Sequence, residues 1–143
     1  MKRPDDLFSI TQRVYYQHTD AGGVVYHATY LDFLEAARTE FLLHRGFDLV
    51  ELAEREAVMF VVRGIRIDFK NPARLNDRLT ITAEVAKVGF ASLDFTQHVF
   101  RDATGAPAEV LVSARVELGC VNPHSWKPAR MPRAVRTTLG QSE

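Results

Sequence analysis

The chain has 143 residues, 46% hydrophobic and 25% charged, the composition of one folded domain rather than a disordered chain. Its 18 Lys+Arg balance 18 Asp+Glu, so bulk electrostatics gives no grip on nucleic acid, which is excluded as a partner class. No apolar run approaches the ~20 residues of a membrane span, the polar start Met1-Lys2-Arg3-Pro4-Asp5-Asp6 leads into no signal-peptide core, and a single cysteine, Cys120, allows no internal disulfide. These features predict a soluble, cytoplasmic protein.

The pattern in chain order predicts a first strand over 7–17, where Val14, Tyr15 and Tyr16 favour a pleated surface. A turn cluster follows, His18-Thr19-Asp20-Ala21-Gly22-Gly23. Tyr30, Phe33, Leu34, Ala37, Phe41 and Leu42 recur at spacings of three and four, which predicts a long helix over about 28–45, stopped by Gly46. A short helix is expected over 49–55. The period then changes to two. Val61, Ile65, Ile67 and Phe69 share one face of a strand over 58–69, with Arg63 as an interruption. Leu79, Ile81, Ala83 and Val85 mark the next strand, Leu93, Phe95 and Val99 another. A long last strand carries Val110, Val112, Ala114, Val116, Leu118 and Cys120. Turns separate them, one at Asp102-Ala103-Thr104-Gly105.

Short turns imply antiparallel neighbours, and the apolar face of such a sheet needs the one long helix as its cover. The fold class is therefore α+β: a curved antiparallel sheet wrapped around one helix, a single domain over 1–143 with its core at about 7–121. The proline- and arginine-rich tail 122–143 is expected to be irregular and its last residues disordered.

Chemistry concentrates at the junction of first strand and long helix. Asp20 supplies a carboxylate, Gly22 and Gly23 allow close backbone approach to a ligand, and the free N–H groups of the following helix start suit a developing negative charge. A carboxylate there can act as base or nucleophile toward an acyl group whose oxyanion those N–H groups hold. An ordinary turn capped by Asp20 accounts for the same residues. His18, Asp20 and His27 as metal ligands match no common spacing. Cys120 reads as a small core residue, His44 as a helix-end charge, and His98 as a strand residue without a role. Phe33, Leu34, Phe60 and Phe90 are candidates to line an acyl channel. Lys127, Arg130, Arg133 and Arg136 read either as a solvated tail or as a grip on phosphates.

The segment Val14-Tyr15-Tyr16-Gln17-His18-Thr19-Asp20-Ala21-Gly22-Gly23-Val24-Val25-Tyr26-His27-Ala28-Thr29-Tyr30, followed by Glu35-Ala36-Ala37-Arg38-Thr39-Glu40, resembles the signature of the Tol-Pal-associated acyl-CoA thioesterases, in the 4-hydroxybenzoyl-CoA thioesterase-like branch of the hotdog superfamily. The resemblance continues through Phe60-Val61-Val62-Arg63, Pro72-Ala73-Arg74-Leu75, Asp77, Ser92-Leu93, Phe95-Thr96-Gln97 and Lys127-Pro128. It implies a hotdog fold and hydrolysis of acyl-CoA thioesters without metal or other cofactor, CoA being part of the substrate. It implies Asp20 as the catalytic carboxylate, the backbone N–H of His27 as oxyanion donor and Tyr16 as a supporting side chain. Gly22, Gly23, Val25, Tyr26, Arg63 and Arg74 become candidates for substrate binding. Where the family commonly has Glu-Asp, this chain has Gln17-His18, which removes two acids beside Asp20 and introduces an imidazole. The resemblance also implies a homodimer or homotetramer. Its shared site would have the loop Asn71–Asp77 and arginines of one chain facing Asp20 of the other. The carrier is CoA or an acyl-carrier protein. Two other readings stand beside hydrolysis: a hotdog dehydratase acting on hydroxyacyl-carrier protein, and a non-catalytic acyl-carrier or partner-binding module.

Overall fold

The structure is a computed structural model, and it describes residues 4–103 and 107–140. The expectations for Met1 to Arg3, for the tip of the turn at 104–106 and for the last three residues lie outside the described residues. Five strands form one antiparallel sheet: β1 (Phe8–Arg13), β2 (Met59–Phe69), β3 (Arg78–Val88), β4 (Ser92–Arg101) and β5 (Glu109–Val121), in the spatial order β1-β3-β4-β5-β2. Three helices accompany them: α1 (Thr29–His44), α2 (Leu49–Glu56) and α3 (Arg133–Leu139). The sheet closes around α1, as the hotdog expectation requires.

Alternation sets the faces. Leu79, Ile81 and Ala83 of β3, Leu93, Phe95 and Val99 of β4, and Val112, Val116, Leu118 and Cys120 of β5 are buried on the helix side. Against them α1 lays Tyr30, Phe33, Leu34, Ala37, Phe41 and Leu42. Each large side chain in this layer contributes roughly 2 kcal/mol of burial. Two polar residues cross the same layer. Gln97 is fully buried, donates to Leu34 O at 3.0 Å and Thr82 O at 3.1 Å, and accepts from Arg38 Nη1 at 3.0 Å. Every hydrogen bond counts here, because an unpaired buried amide costs about 1–3 kcal/mol.

Helix α1 ends where Gly46 takes a φ of +92°, and the Phe47 N–H returns to Leu42 O at 2.8 Å. Asp48 then caps α2 by accepting from the Val50 and Glu51 N–H groups at 2.8 and 3.1 Å.

Three expectations are corrected. The first strand stops at Arg13, and Tyr16–His18 forms a 3₁₀ turn held by the His18 N–H on Tyr15 O at 2.9 Å. Aromatic propensity at Tyr15 and Tyr16 therefore does not extend the strand, because the chain must turn toward α1. In β2 the register shifts between Val62 and Gly64, so Arg63 is an extra residue in a bulge. The bulge flips the alternation, and Phe60 and Val62, not Val61, share the helix-side face with Ile65, Ile67 and Phe69. Finally, the tail is not irregular throughout. Residues 128 and 121 form a β-bridge, α3 follows, and Met131, Val135 and Leu139 are buried against the core. Their apolar surface outweighs the breaking effect of the prolines.

Cys120 is buried on the helix side of β5, and burial pushes its thiol up to about 11 from an ordinary 9.0. The unfolded chain releases that proton first, so the contribution of Cys120 to stability is intact below pH 9 and is lost as pH rises toward 11. Native protein at pH 8 is expected to resist Ellman's reagent until denaturant is added. Rapid stoichiometric labelling without denaturant would contradict this burial.

Candidate active site

The motif between β1 and α1 is a tight hairpin. Thr19 and Val25 form a bridge, Asp20 N donates to Val24 O at 2.9 Å, and Gly23 N donates to Asp20 O at 3.1 Å. Asp20 sits at its exposed tip. One carboxylate oxygen, Oδ1, accepts the Gly22 N–H at 2.8 Å, which fixes the side chain and leaves Oδ2 available. Gly23 has a φ of +81° in open space, so its need for glycine is purely conformational. Gly22 is different: a Cβ there stands 3.2 Å from Asp20 Oδ1. Gly22→Ala is expected to displace the carboxylate and lower turnover at little cost in stability. Gly23→Ala is expected to cost about 1 kcal/mol in chemical denaturation, from backbone strain. Equal effects of the two on both readouts would refute this division.

His27 lies two residues ahead of α1, next to its N-cap Ala28. Tyr26 N donates to His18 O at 3.0 Å and Thr29 N to Tyr26 O at 2.8 Å, whereas among the described residues the His27 N–H meets no acceptor. It is one of the N–H groups left without an acceptor where the chain enters the helix, next to those of the first turn. The imidazole packs at a 45° tilt against Tyr26, ring centres 4.4 Å apart, and stands edge-to-face with Phe69 at 6.4 Å. Beside it opens a cavity of ≈ 250 Å³ lined by Val25, Tyr30, Phe69 and Pro72.

The hairpin leans on the loop between β2 and β3. Val24 bridges Arg74, and Val25 N donates to Ala73 O at 2.9 Å. Ala73 N in turn donates to the Tyr30 hydroxyl at 3.0 Å. Burial raises the Tyr30 pKa above its ordinary value, with the Ala73 N–H acting the other way, so the phenol stays neutral. The loop 71–77 thus lies against its own chain's Asp20 hairpin, whereas the shared-site reading has it facing the other chain's.

The sequence-derived candidates separate accordingly. Asp20, Gly22, Gly23, Val25, Tyr26, His27 and Arg74 come together. Tyr16 is 81% exposed, with its ring clear of the core. Arg63 lies six residues before Phe69 on β2, about 20 Å along the strand. Its aliphatic stem covers Gly119, where a Cβ would stand 2.6 Å from Arg63 Cδ. His18 does not turn to Asp20. Its Nδ1 accepts the Tyr15 N–H at 2.9 Å and its ring meets Phe33 edge-on at 5.0 Å, so His18, Asp20 and His27 do not converge on a metal. Of the channel candidates, Leu34 is core and Phe90 is 67% exposed beneath the guanidinium groups of Arg130 and Arg136. Sequence reasoning missed Tyr30 and Phe69 as walls beside His27; their apolar periodicity reads only as core.

The family model of the thioesterase superfamily matches residues 22–108, the span from the hairpin tip through β4. The chain belongs to the thioesterase superfamily. Among its relatives, the acyl-CoA thioester hydrolase YbgC of Escherichia coli O6:H1 is 43% identical over 129 residues, 90% of this chain and 92% of that protein. The acyl-CoA thioesterase YbgC of Haemophilus influenzae is 41% identical, with 94% and 96% covered. A solved probable thioesterase from Bartonella henselae superposes with a TM-score of 0.79 at 37% identity, covering 88% of this chain and 99% of that one. This superfamily member shares with them nearly its whole length, the hairpin included.

Proposed function

We propose that this thioesterase-superfamily chain hydrolyses acyl-CoA thioesters, with Asp20 as general base or nucleophile and the His27 N–H as oxyanion donor. One observation carries the reading: a carboxylate anchored through one oxygen, with the other free of hydrogen bonds, on a hairpin that leads within two residues to the free His27 N–H just ahead of a 16-residue helix. In the general-base route, Asp20 Oδ2 takes a proton from water as the water oxygen attacks the thioester carbon. In the nucleophilic route, Oδ2 attacks that carbon itself and water opens the resulting anhydride. In both, the carbonyl oxygen gains charge toward the His27 N–H and the helix start, and the CoA sulfur leaves with the electron pair. No cofactor enters either route. Single-turnover hydrolysis in ¹⁸O-water identifies the anhydride route where label enters the Asp20 carboxylate, which requires water to open the anhydride at the Asp20 carbon; label in the product acid alone is common to the general-base route and to opening at the acyl carbon.

The carrier is CoA in this reading, with acyl-carrier protein as the competing donor. Arg74 stands beside the hairpin, and Arg63, remote from it on β2, would serve only the site of a second chain. The active unit is a homodimer, with a tetramer built from two such pairs. It is supported by β2, an 11-residue strand at the end of the sheet. Its helix-side residues Val62, Ile65 and Phe69 are 49%, 38% and 50% exposed because α1 covers β1 and β3 instead. Tyr16, exposed in one chain, would support the site only in that assembly. No helix among the described residues is long and apolar enough to cross a membrane. The buried lone thiol suits a reducing compartment, the cytoplasm.

A further inference from the structure

The Asp20 hairpin has no long strand of its own to hold it. Both of its flanks hang on the loop 72–77. On the near side, Val14 N donates to Asp77 O at 2.8 Å and Asn76 N donates to Val14 O at 2.9 Å, just before Tyr15. On the far side, Val25 N donates to Ala73 O at 2.9 Å and Val24 bridges Arg74. The geometry of the hairpin is therefore set by that loop. Arg13 Nη1 donates to Asn76 O at 2.7 Å and the Tyr30 hydroxyl accepts from Ala73 N at 3.0 Å, while one side chain from β4 ties the two ends of the loop together.

Arg101 uses every edge of its guanidinium there. Nη2 donates to Pro72 O at 3.0 Å, Nη1 pairs with Asp77 Oδ2, and Nε donates to Glu109 Oε1 at 3.2 Å. The same Asp77 Oδ2 accepts the Arg74 N–H at 2.8 Å. One guanidinium thus fixes both ends of the loop, Pro72 and Asp77, while β5 fixes the guanidinium through Glu109. The planar fork supplies three directed contacts at once, which an ammonium cannot reproduce. The Arg101 side chain is only about one-fifth exposed, so these bonds are partly shielded from competing water.

We propose that Arg101 is a positioning residue for hydrolysis: its clamp on the loop 72–77 sets where the Asp20 carboxylate and the His27 N–H stand. The proposal rests on the reading of Asp20 as the reacting carboxylate. Arg101 touches no reacting atom in it. Its effect passes along Arg101 to Pro72 and Asp77, through Ala73 and Arg74, to Val24, Val25 and Val14. A displacement of about 1 Å at the reacting group costs up to 10²-fold in rate, so a loosened clamp acts on turnover.

The test compares Arg101→Gln, Arg101→Lys and Arg101→Ala with the intact protein in thiol release from an acyl-CoA, well below each variant's thermal midpoint. Arg101→Gln is expected to lose about 30-fold in kcat while KM moves less than about three-fold. Arg101→Lys, keeping charge without the fork, is expected to fall between. Methylguanidinium should restore part of the lost kcat to Arg101→Ala and none to Asp20→Asn. In Asp20→Asn, adding Arg101→Gln should cost nothing further, because the positioned group is gone. If Arg101→Gln does not fold, the lysine variant and the methylguanidinium rescue decide. Full kcat in folded Arg101→Gln, or losses that multiply in the double variant, would overturn the clamp. If Asp20→Asn alone keeps its rate, the Asp20 reading fails by itself, while loss and rescue at Arg101 still support a clamp on the hairpin.

Discussion

Asp20→Asn is expected to lose 10²- to 10⁴-fold in turnover, on the order of a general-base contribution. The substitution is chosen for what it keeps. An asparagine Oδ1 still accepts the Gly22 N–H that holds the side chain, so the hairpin and its hydrogen bonds to Ala73 survive. What is lost is the basicity and nucleophilicity of the second oxygen. Binding of a non-hydrolysable acyl-CoA analogue should stay within a few-fold of the intact protein, because in the proposed mechanism Asp20 meets the reacting atoms and not the bulk of the ligand. The combination of lost kcat and kept affinity separates a chemical role from a structural one. A purified variant retaining more than a tenth of the original turnover would remove Asp20 from the mechanism. It would also return the turn-capping reading of this residue.

Ile65→Lys carries the second large effect. Ile65 lies opposite Val116 on the helix-side face of β2, at the end of the sheet and 38% exposed. A lysine there is tolerated by one chain, since its ammonium reaches solvent. Between two β2 strands it would bring two like charges into an apolar seam, which is how edge strands are kept from pairing. The expected result is a monomer in sedimentation velocity with specific activity at least about ten-fold down, for a site that takes groups from both chains. Thermal stability should fall with the loss of the partner as well, since association stabilises the folded state by mass action. The assignment fails if the unaltered protein sediments as a monomer with full specific activity on dilution.

The extent of sequence legibility follows the range of the forces involved. The long helix is legible because Tyr30, Phe33, Leu34, Ala37, Phe41 and Leu42 repeat at its own period, and Gly46 supplies the left-handed stop. The later strands are legible because their helix-side residues recur at every second position through most of β3, β4 and β5. Asp20, Gly22 and Gly23 announce a special turn through residue types that serve turns and little else, and His27 stands out as the residue ahead of the helix. These are local properties, encoded within a few residues.

Long-range pairings are what only the tertiary structure decided. The sequence flags Arg63 as an interruption in β2, but the partner strand makes it a bulge and moves Val61 to the opposite face. His18 beside Asp20 in sequence turns to Phe33, 15 residues on, because the 3₁₀ turn claims its Nδ1. The tail from Asn122 reads as irregular from its prolines, yet Met131, Val135 and Leu139 find an apolar surface that exists only once sheet and helix have closed. Arg101 carries no local mark at all, being a charged residue near the end of a strand. Its partners at Pro72 and Asp77 lie 29 and 24 residues away, and only folding brings them to one guanidinium. Periodicity and turn chemistry thus determined the elements and the place of the Asp20 hairpin. Which residues hold that hairpin still was decided by pairings across the sheet, whose energy depends on distances that no window of sequence contains.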